Sequence, residues 1–353
     1  MLVLGIESSC DETAAAVVED ATRVRSSVVA SQYELHAEYG GVVPEIASRA
    51  HERRILPVLR RAVADAGVTL ADVDAVAVGH RPGLIGSLLV GLAAAKALAW
   101  SLDKPLVGVD HVHAHLHAAA LGRDDQPAFP ALGLVVSGGH STIYRCASPT
   151  KLERLGATID DAVGEAFDKA AAILGLGHPG GPAIDKLARS PDANDRAFDF
   201  PISRLAPDSL DLSFSGLKTA VLYEVNGRPQ PRQVPGKPEV RVEPAAPMTD
   251  ERRRDIAASF QRAAVRAVLI KLERALEQRG PFVSLIVGGG VSANSRLRAE
   301  LDAFARTHDL DLRLPELRYC VDNAAMIAGL GCLLLAEGKR DDLTLAAVPT
   351  TAC

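Results

Sequence analysis

The chain opens with an apolar run, Leu2 to Glu7, that stops at Ser8 and Ser9, and a second run, Ala14 to Glu19, follows at once. This pattern predicts strand, polar turn, strand. The same shape returns as Ala131 to Val136, a Ser137-Gly138-Gly139-His140-Ser141 turn, and Thr142 to Cys146. Its recurrence points to an internal duplication. Between the two units, Pro44 to Ala66 has helical period, with Pro57 expected to kink or break it. Val73 to Val78 and Leu106 to Val109 read as strands, and Leu84 to Trp100 as a helix. Further on, Asp160 to Leu174 reads as a helix, Gly175 to Gly181 as a loop and Pro182 to Ala188 as a short helix. Thr249 to Arg279 is long and amphipathic, with Thr249 or Asp250 as its cap. Phe282 to Val287 is a strand, and Asp322 to Ala336 closes the pattern as an apolar helix. Asn226 to Pro247 carries six prolines and little apolar pattern, and reads as an exposed, mobile linker-like insertion.

Strands alternating with helices define an α/β class, and 353 residues suggest two domains. Hydrophobic residues make up 48% of the chain but aromatics only 4%, so aliphatic side chains must fill the core. The net charge of −5 argues against bulk attraction to nucleic acid. Local basic runs, Arg49 to Arg61 and Arg252 to Arg254, are either contacts or solvated helix faces. Cys10, Cys146, Cys320, Cys332 and Cys353 are scattered, odd in number and form no C-x-x-C pair, as expected of a reducing compartment. The first residues lack the basic region of a signal peptide. The Leu84 to Trp100 run is interrupted by Gly86, Ser87, Gly91 and Lys96 and reads as a buried helix, not a membrane span. A cytoplasmic protein is expected.

Candidate chemistry centres on His111, His113, His115 and His117 in DHVHAHLHAAA. The stretch lacks Gly and Pro and predicts a helix. His111 and His115 then share one face, while His113 and His117 point roughly the opposite way. Two imidazoles one turn apart can grip one divalent metal. The alternative is a set of surface histidines that bind nothing. Three glycine clusters lie at element junctions: Ser137-Gly138-Gly139, Pro179-Gly180-Gly181 and Gly288-Gly289-Gly290. Such loops can aim peptide N–H groups at an anion, which suggests a nucleotide or acyl-phosphate ligand. None matches a P-loop or G-x-G-x-x-G. Among the nearby carboxylates, Asp160 reads as a cap, whereas Asp168 and Asp185 favour ligand contact. Asp322 has a strong reading as a helix N-cap, yet a His/His/Asp set would complete three ligands with open positions.

The motifs LGIESSCDET, SQYELHAEYGGVVPEIASRAH, PGLIGSLLVG, the His111/His115 pair, VSGGHS, IDDAVGEAFDKAA, HPGGPAID, FSGLKT, GGGVSAN and CVDNAAMIA run in order from Leu2 to Gly329. Together they resemble the tRNA N6-adenosine threonylcarbamoyltransferase family, once described as O-sialoglycoprotein endopeptidases. The resemblance implies the two-lobed fold of actin, Hsp70 and sugar kinases, built on duplicated ribonuclease-H-like halves. Lobe I would span 1–118 plus the C-terminal helix at about 325–353, and lobe II 119–324. The implied reaction transfers threonylcarbamoyl from threonylcarbamoyl-adenylate to N6 of adenosine 37 in ANN-decoding tRNAs, releasing AMP. By motif position, His111, His115 and Asp322 would hold one divalent metal, Fe2+ or Zn2+. Val135, Val136, Ser137, Gly138 and Gly139 would line the adenylate site, with Asp168, Gly181, Asp185 and Asn294 also in contact. Implied partners are tRNA, a catalytically inert paralogue, a small ATPase and a separate synthase that supplies the adenylate.

The chain departs from the family at Gly79-His80-Arg81-Pro82-Gly83, where the family usually has Gly-Pro-Gly after a Thr/Ala pair. His113 and His117 are extra to the motif and read as non-ligands. Two catalytic alternatives share parts of the pattern. A metallopeptidase needs a general base beside its ligands, but Val112, His113 and Ala114 fill the gap without a Glu. An ATP-dependent kinase or ATPase of the same fold needs no histidine pair. A non-catalytic paralogue would not retain both histidines, Asp322 and all three glycine loops.

Overall fold

The computed structural model describes every residue except 40, 204, 233–238, 243–245 and 351–353. Both sequence repeats form antiparallel strand pairs, each at the centre of its own five-stranded sheet. In the first half, β1 (Leu2–Glu7), β2 (Glu12–Glu19) and β3 (Arg23–Ser31) form a meander. α1 (Tyr33–His36) and α2 (Pro44–Asp65) follow, then β4 (Ala75–Arg81), α3 (Ile85–Leu102), β5 (Leu106–Asp110) and α4 (His111–His117). In the second half, β6 (Ala131–Val136), β7 (Ser141–Cys146) and β8 (Leu152–Ala157) repeat the meander. α5 (Val163–Ile173), α6 (Gly180–Ala188), α7 (Ser215–Asn226), β9 (Pro229–Arg232), β10 (Glu239–Val242) and α8 (Asp250–Arg279) lead to β11 (Ser284–Gly288). α9 (Ser295–Thr307), β12 (Asp311–Arg313) and α10 (Ala324–Ala336) complete the chain.

The sheets have orders β3-β2-β1-β4-β5 and β12-β11-β6-β7-β8. Read from the meander edge they coincide: three antiparallel strands, then two joined in parallel. The duplication is therefore a property of topology as well as of turn composition.

Burial follows the pleat. Val3, Ala14, Ala16 and Val18 face α10, whereas Leu4, Ile6, Ala15 and Val17 face α2 and α3. Both faces of the first sheet are covered, so its central strands are apolar at nearly every position. In the second half, α5, α7, α8 and α9 share a core with β6 and β11. α4 wedges between the halves, with Val112 and Leu116 packed on Val135, Tyr144 and Ile286. α10 comes late in the sequence but packs on β1, β2, β4 and β5. The segment after it is clamped there too. The amide of Asp341 donates to Leu106, its carboxylate accepts from Gly108, and the Val348 amide donates to the His80 carbonyl.

Four expectations need correction. α2 runs unbroken through Pro57, which costs one backbone bond in a long helix held by packing. α3 is only half buried: Ser87, Leu88, Gly91, Leu92, Ala95 and Ala99 face inward, while Ile85, Leu89 and Trp100 are exposed because no layer covers them. By length and composition it is long and apolar enough to cross a membrane, the one such helix among the described residues. The proline-rich insertion is not featureless, because β9 and β10 pair as an antiparallel hairpin. The mobility expected of residues 233–238 and 243–245 lies outside the described residues. Finally, α6 begins at Gly180, inside the expected loop.

One close contact locks α4 in place. A Cβ built on Gly288 would lie 2.0 Å from the His115 carbonyl oxygen. Any larger residue must push β11 away from the histidine helix. Gly288→Ala is expected to destabilise the protein by about 1–3 kcal/mol, measured by chemical denaturation.

Candidate metal centre and glycine-lined cleft

Three element ends meet at one edge of the first sheet. β1 ends at Glu7, β5 passes directly into α4 at His111, and the turn before α10 presents Asp322. This is the carboxyl edge of parallel strands β1 and β5, where open α/β sheets usually bind ligands. Asp110 caps α4 by accepting from the amides of Val112 (3.0 Å) and His113 (3.2 Å). That cap starts the helix directly after the strand and sets the histidine phase.

The ambiguity over Asp322 resolves through its neighbour. Asn323 caps α10, its Oδ1 accepting from the Met326 amide at 3.0 Å. Asp322 is thereby left to point at the histidines. Its Oδ1 lies 3.4 Å from His111 Nε2 and 3.2 Å from His115 Nε2. One ligand atom from each of the three residues lies within 4.8 Å of the others. His115 is fully buried, and neither ring nitrogen has a hydrogen-bond partner among the described residues. An orphaned buried imidazole converging with a second imidazole and a carboxylate fits a divalent cation. The helix faces divide as expected. His113 stands edge-on to Tyr144 at 5.5 Å, and His117 Nε2 donates to the Ala21 carbonyl at 2.9 Å.

The sequence reading missed several residues around this cluster. Glu7 is fully buried, and its Oε2 lies 3.0 Å from His111 Nδ1. Its other oxygen accepts from the Ser9 amide at 2.5 Å, and Ser9 Oγ lies 3.3 Å from the same His111 nitrogen. A carboxylate behind a ligating imidazole fixes its tautomer and aims the other nitrogen outward. The signal available was a buried acid ending an apolar strand, Glu7 in LGIE. Glu12, at the start of β2, is held in its neutral form at pH 7. Burial, then the Asp322 and Asp11 charges, push the Glu12 carboxyl up to about 9. His140, from the VSGGHS turn, is lowered to about 4 by burial and by His111 and His115, which places that turn beside the cluster.

The remaining predicted residues form one continuous rim. The Ser137 carbonyl accepts from the Gly164 amide at 3.2 Å, joining the first glycine turn to α5. On α5, Asp168 accepts from the Gly180 amide at 2.7 Å. On α6, Asp185 accepts from Ser295 Oγ at 2.7 Å. Val135 and Val136 are fully buried within β6 and support the turn from below. Asn294 is committed to structure: Oδ1 caps α9 through the Leu297 amide (3.0 Å), and Nδ2 donates to Gln261 (2.8 Å). A Cβ built on Gly138, Gly139 or Gly181 would meet nothing within 4 Å, so these loops face open space. Asp160 is a cap, as read, but for α7: it accepts from the Phe214 and Ser215 amides and from the Ser213 and Ser215 hydroxyls.

The duplicated halves and the late helix returning to the first sheet define the two-lobed fold of the actin, Hsp70 and sugar-kinase type. Solved structures agree in fold. The (R)-2-hydroxyglutaryl-CoA dehydratase component A of Acidaminococcus fermentans, 12% identical, aligns with a TM-score of 0.52 over 95% of this chain and 99% of that one. Full-length HypF, 13% identical, aligns with a TM-score of 0.56 over 95% of this chain and 46% of that one. Sequence comparison narrows the class. The family model for tRNA N6-adenosine threonylcarbamoyltransferase matches residues 23–329. Proteins of that name from Symbiobacterium thermophilum and Solidesulfovibrio magneticus are 50% and 52% identical, each over 99% of this chain and 96% and 93% of their own lengths. The chain belongs to the tRNA N6-adenosine threonylcarbamoyltransferase family: it is a transferase that modifies tRNA with a threonylcarbamoyl group.

Two predictions follow from the geometry. Glu7→Gln keeps shape but removes the charge behind His111, so affinity for Zn2+ is expected to fall about 10–100-fold with the fold retained, as read by competition with a chromogenic chelator. The second concerns pH. Burial opposes a charged His111, but Asp322 and Glu7 outweigh it and raise its pKa well above the ordinary 6.5. Burial also opposes a charged Asp322, yet His111 and His115 hold it well below the ordinary carboxylate range. The metal-free pair therefore contributes its full stability only between the ordinary carboxylate range and the ordinary histidine value of 6.5. The Asp322 contribution is lost as pH falls, and the His111 contribution as pH rises. A metal must displace the His111 proton, so affinity is expected to rise with pH and calorimetry in buffers of different ionisation enthalpy to show proton release.

Proposed function

We propose that this chain transfers the threonylcarbamoyl group of threonylcarbamoyl-adenylate to N6 of adenosine 37 in ANN-decoding tRNAs, releasing AMP. His111, His115 and Asp322 would hold one divalent metal, with Fe2+ favoured and Zn2+ second. The observation that carries this reading is the meeting of those three side chains in a fold whose glycine loops at Gly138, Gly139 and Gly181 face open space.

The donor is already activated, so the protein needs no nucleophile of its own. Bound at this centre, a divalent cation supplies a Lewis acid for a carbonyl or phosphoryl oxygen. Ser137 to Gly139 would border the adenylate, with the buried Val135 and Val136 supporting the turn from below, and the open Gly138 and Gly139 positions let a ligand approach their backbone. Removal of one such donor typically costs about 3 kcal/mol of transition-state stabilisation. Asp168, Gly181, Asp185 and Asn294 bound the nucleotide side. Asp168 and Asp185 do so while bracing α6 through the Gly180 amide and the Ser295 hydroxyl. Asn294 acts through the α9 cap it forms. The residual task is to hold the adenine amine in line with the carbonyl carbon.

The two lobes divide as 1–118 with 325–353, and 119–324, a reading supported by the packing of α10 and the 341–348 segment on the first sheet. The partners we propose are an inert paralogue, a small ATPase and a synthase that delivers the adenylate, all in the cytoplasm. A protein partner is supported by the outer face of α3, where Ile85, Leu89, Ala93, Ala97 and Trp100 are all exposed and all apolar.

Purified chain with partners, threonylcarbamoyl-adenylate and unmodified tRNA is expected to yield modified adenosine by nucleoside mass spectrometry. The His111→Ala/His115→Ala double variant, its fold confirmed by circular dichroism, is expected to lose product by at least about 100-fold. Full activity in that variant would remove the metal from the account. Peptide cleavage without nucleoside product would favour a metallopeptidase.

A further inference from the structure

The transferase reading leaves two sequence features without a role: His113, on the far side of the histidine helix, and Arg81, in the stretch that departs from the family pattern. They line the same cavity. It measures about 180 Å³, is walled by Arg81, Asp110, His113, Thr150 and Lys339, and is floored by Leu330 and Leu334. It lies behind α4, on the face opposite the metal ligands, where the β7–β8 turn of the second half approaches the end of α10. A volume of that order admits about six waters or one small tetrahedral ion.

Its polar wall is rich in donors. Arg81 is about 30% exposed, and its one ion-pair partner among the described residues is Asp110, with Nε 3.3 Å from Oδ2. That Nε is buried and lies outside hydrogen-bond geometry. Lys339 Nζ donates to the Gly108 carbonyl at 3.2 Å, which leaves two of its three N–H groups. His113 has its ring against Tyr144, and neither ring nitrogen is hydrogen-bonded to a described residue. The carboxylate of Asp110 is already occupied by Arg81 and by the two amides at the start of α4. Two fixed cations and an unpartnered imidazole thus share a small cavity with one engaged carboxylate. An arginine fork and an ammonium lining one small cavity suit an oxyanion with several acceptor atoms.

We propose that this cavity is a binding site for a small tetrahedral oxyanion of the phosphate type, separate from the metal and adenylate sites. Arg81 and Lys339 supply the charge, and His113 supplies a ring nitrogen. Because Thr150 belongs to the second half and Arg81, His113 and Lys339 to the first half and its helices, the occupied site joins the two halves behind the histidine helix. The extra histidine and the departure from the family pattern then have one common explanation.

The test uses metal-loaded full-length protein titrated with inorganic phosphate by calorimetry, in a buffer free of phosphate and sulfate. Wild type is compared with Arg81→Met and Lys339→Met. A saturable site whose Kd rises about tenfold or more in each variant is expected, since each removes a charge-assisted bond. Lys339 is exposed, so its variant tests the site even where Arg81→Met perturbs folding. Isotherms that are the same in all three proteins, or no saturable binding in wild type, would overturn the proposal.

Discussion

The site depends on how the chain divides labour between two adjacent residues, Asp322 and Asn323. A helix needs its first amides satisfied, and either side chain could do it. Asn323 takes the cap, and Asp322 is thereby freed to reach two imidazoles from a helix about two hundred residues earlier in the chain. Everything else holds those groups in register. Glu7 fixes the ring of His111, Asp110 sets the phase of α4, and Gly288 lets β11 close on the carbonyl of His115. Removing one partner of a buried charged set typically costs about 3–5 kcal/mol. The cluster is therefore a place where the protein spends stability to keep chemistry in position.

The fold supplies this geometry by duplication. Each half places a parallel strand beside a meander, so each presents a carboxyl edge and a serine-bearing turn, which carries glycine only in the second half. The first edge carries the histidines and Glu7, and the second carries the Ser137–Gly139 turn. α4 lies between them, packed on the second sheet through Val112 and Leu116 while its His111 and His115 face the first. The two clustered histidines and the packing beneath the glycine turn are thus set by the same short helix, and a change in its position would move both. In the reaction proposed for this chain the acyl group is already activated, so placement would be the main requirement.

Much of this was legible in the sequence, for identifiable reasons. Strands buried on both faces read as continuous apolar runs, so β1, β2, β6 and β7 were visible. The i, i+4 spacing of His111 and His115 gave the shared face, and Thr249 gave the start of α8. The edge strands β3 and β8 were not seen, because Arg23, Arg25, Glu153 and Arg154 break up their apolar pattern. Glu7 was overlooked because a single acid ending a strand looks like a boundary, and its partner is a hundred residues away. The role of Asp322 could not be separated from capping until Asn323 was seen to do that work. The exposed face of α3 was hidden because composition reports apolarity but not what covers it. The shared cavity of Arg81 and His113 was invisible for the same reason: the contact is made by tertiary packing alone.

The central claim is that one cation is held by His111, His115 and Asp322. The direct measurement is an anomalous-difference map from crystals of protein loaded with Zn2+ or Fe2+, collected at the metal edge. The account predicts a single strong peak within about 2.0–2.2 Å of His111 Nε2, His115 Nε2 and an Asp322 oxygen. A map with its principal peak elsewhere, or with the three side chains turned away from the metal, would contradict it.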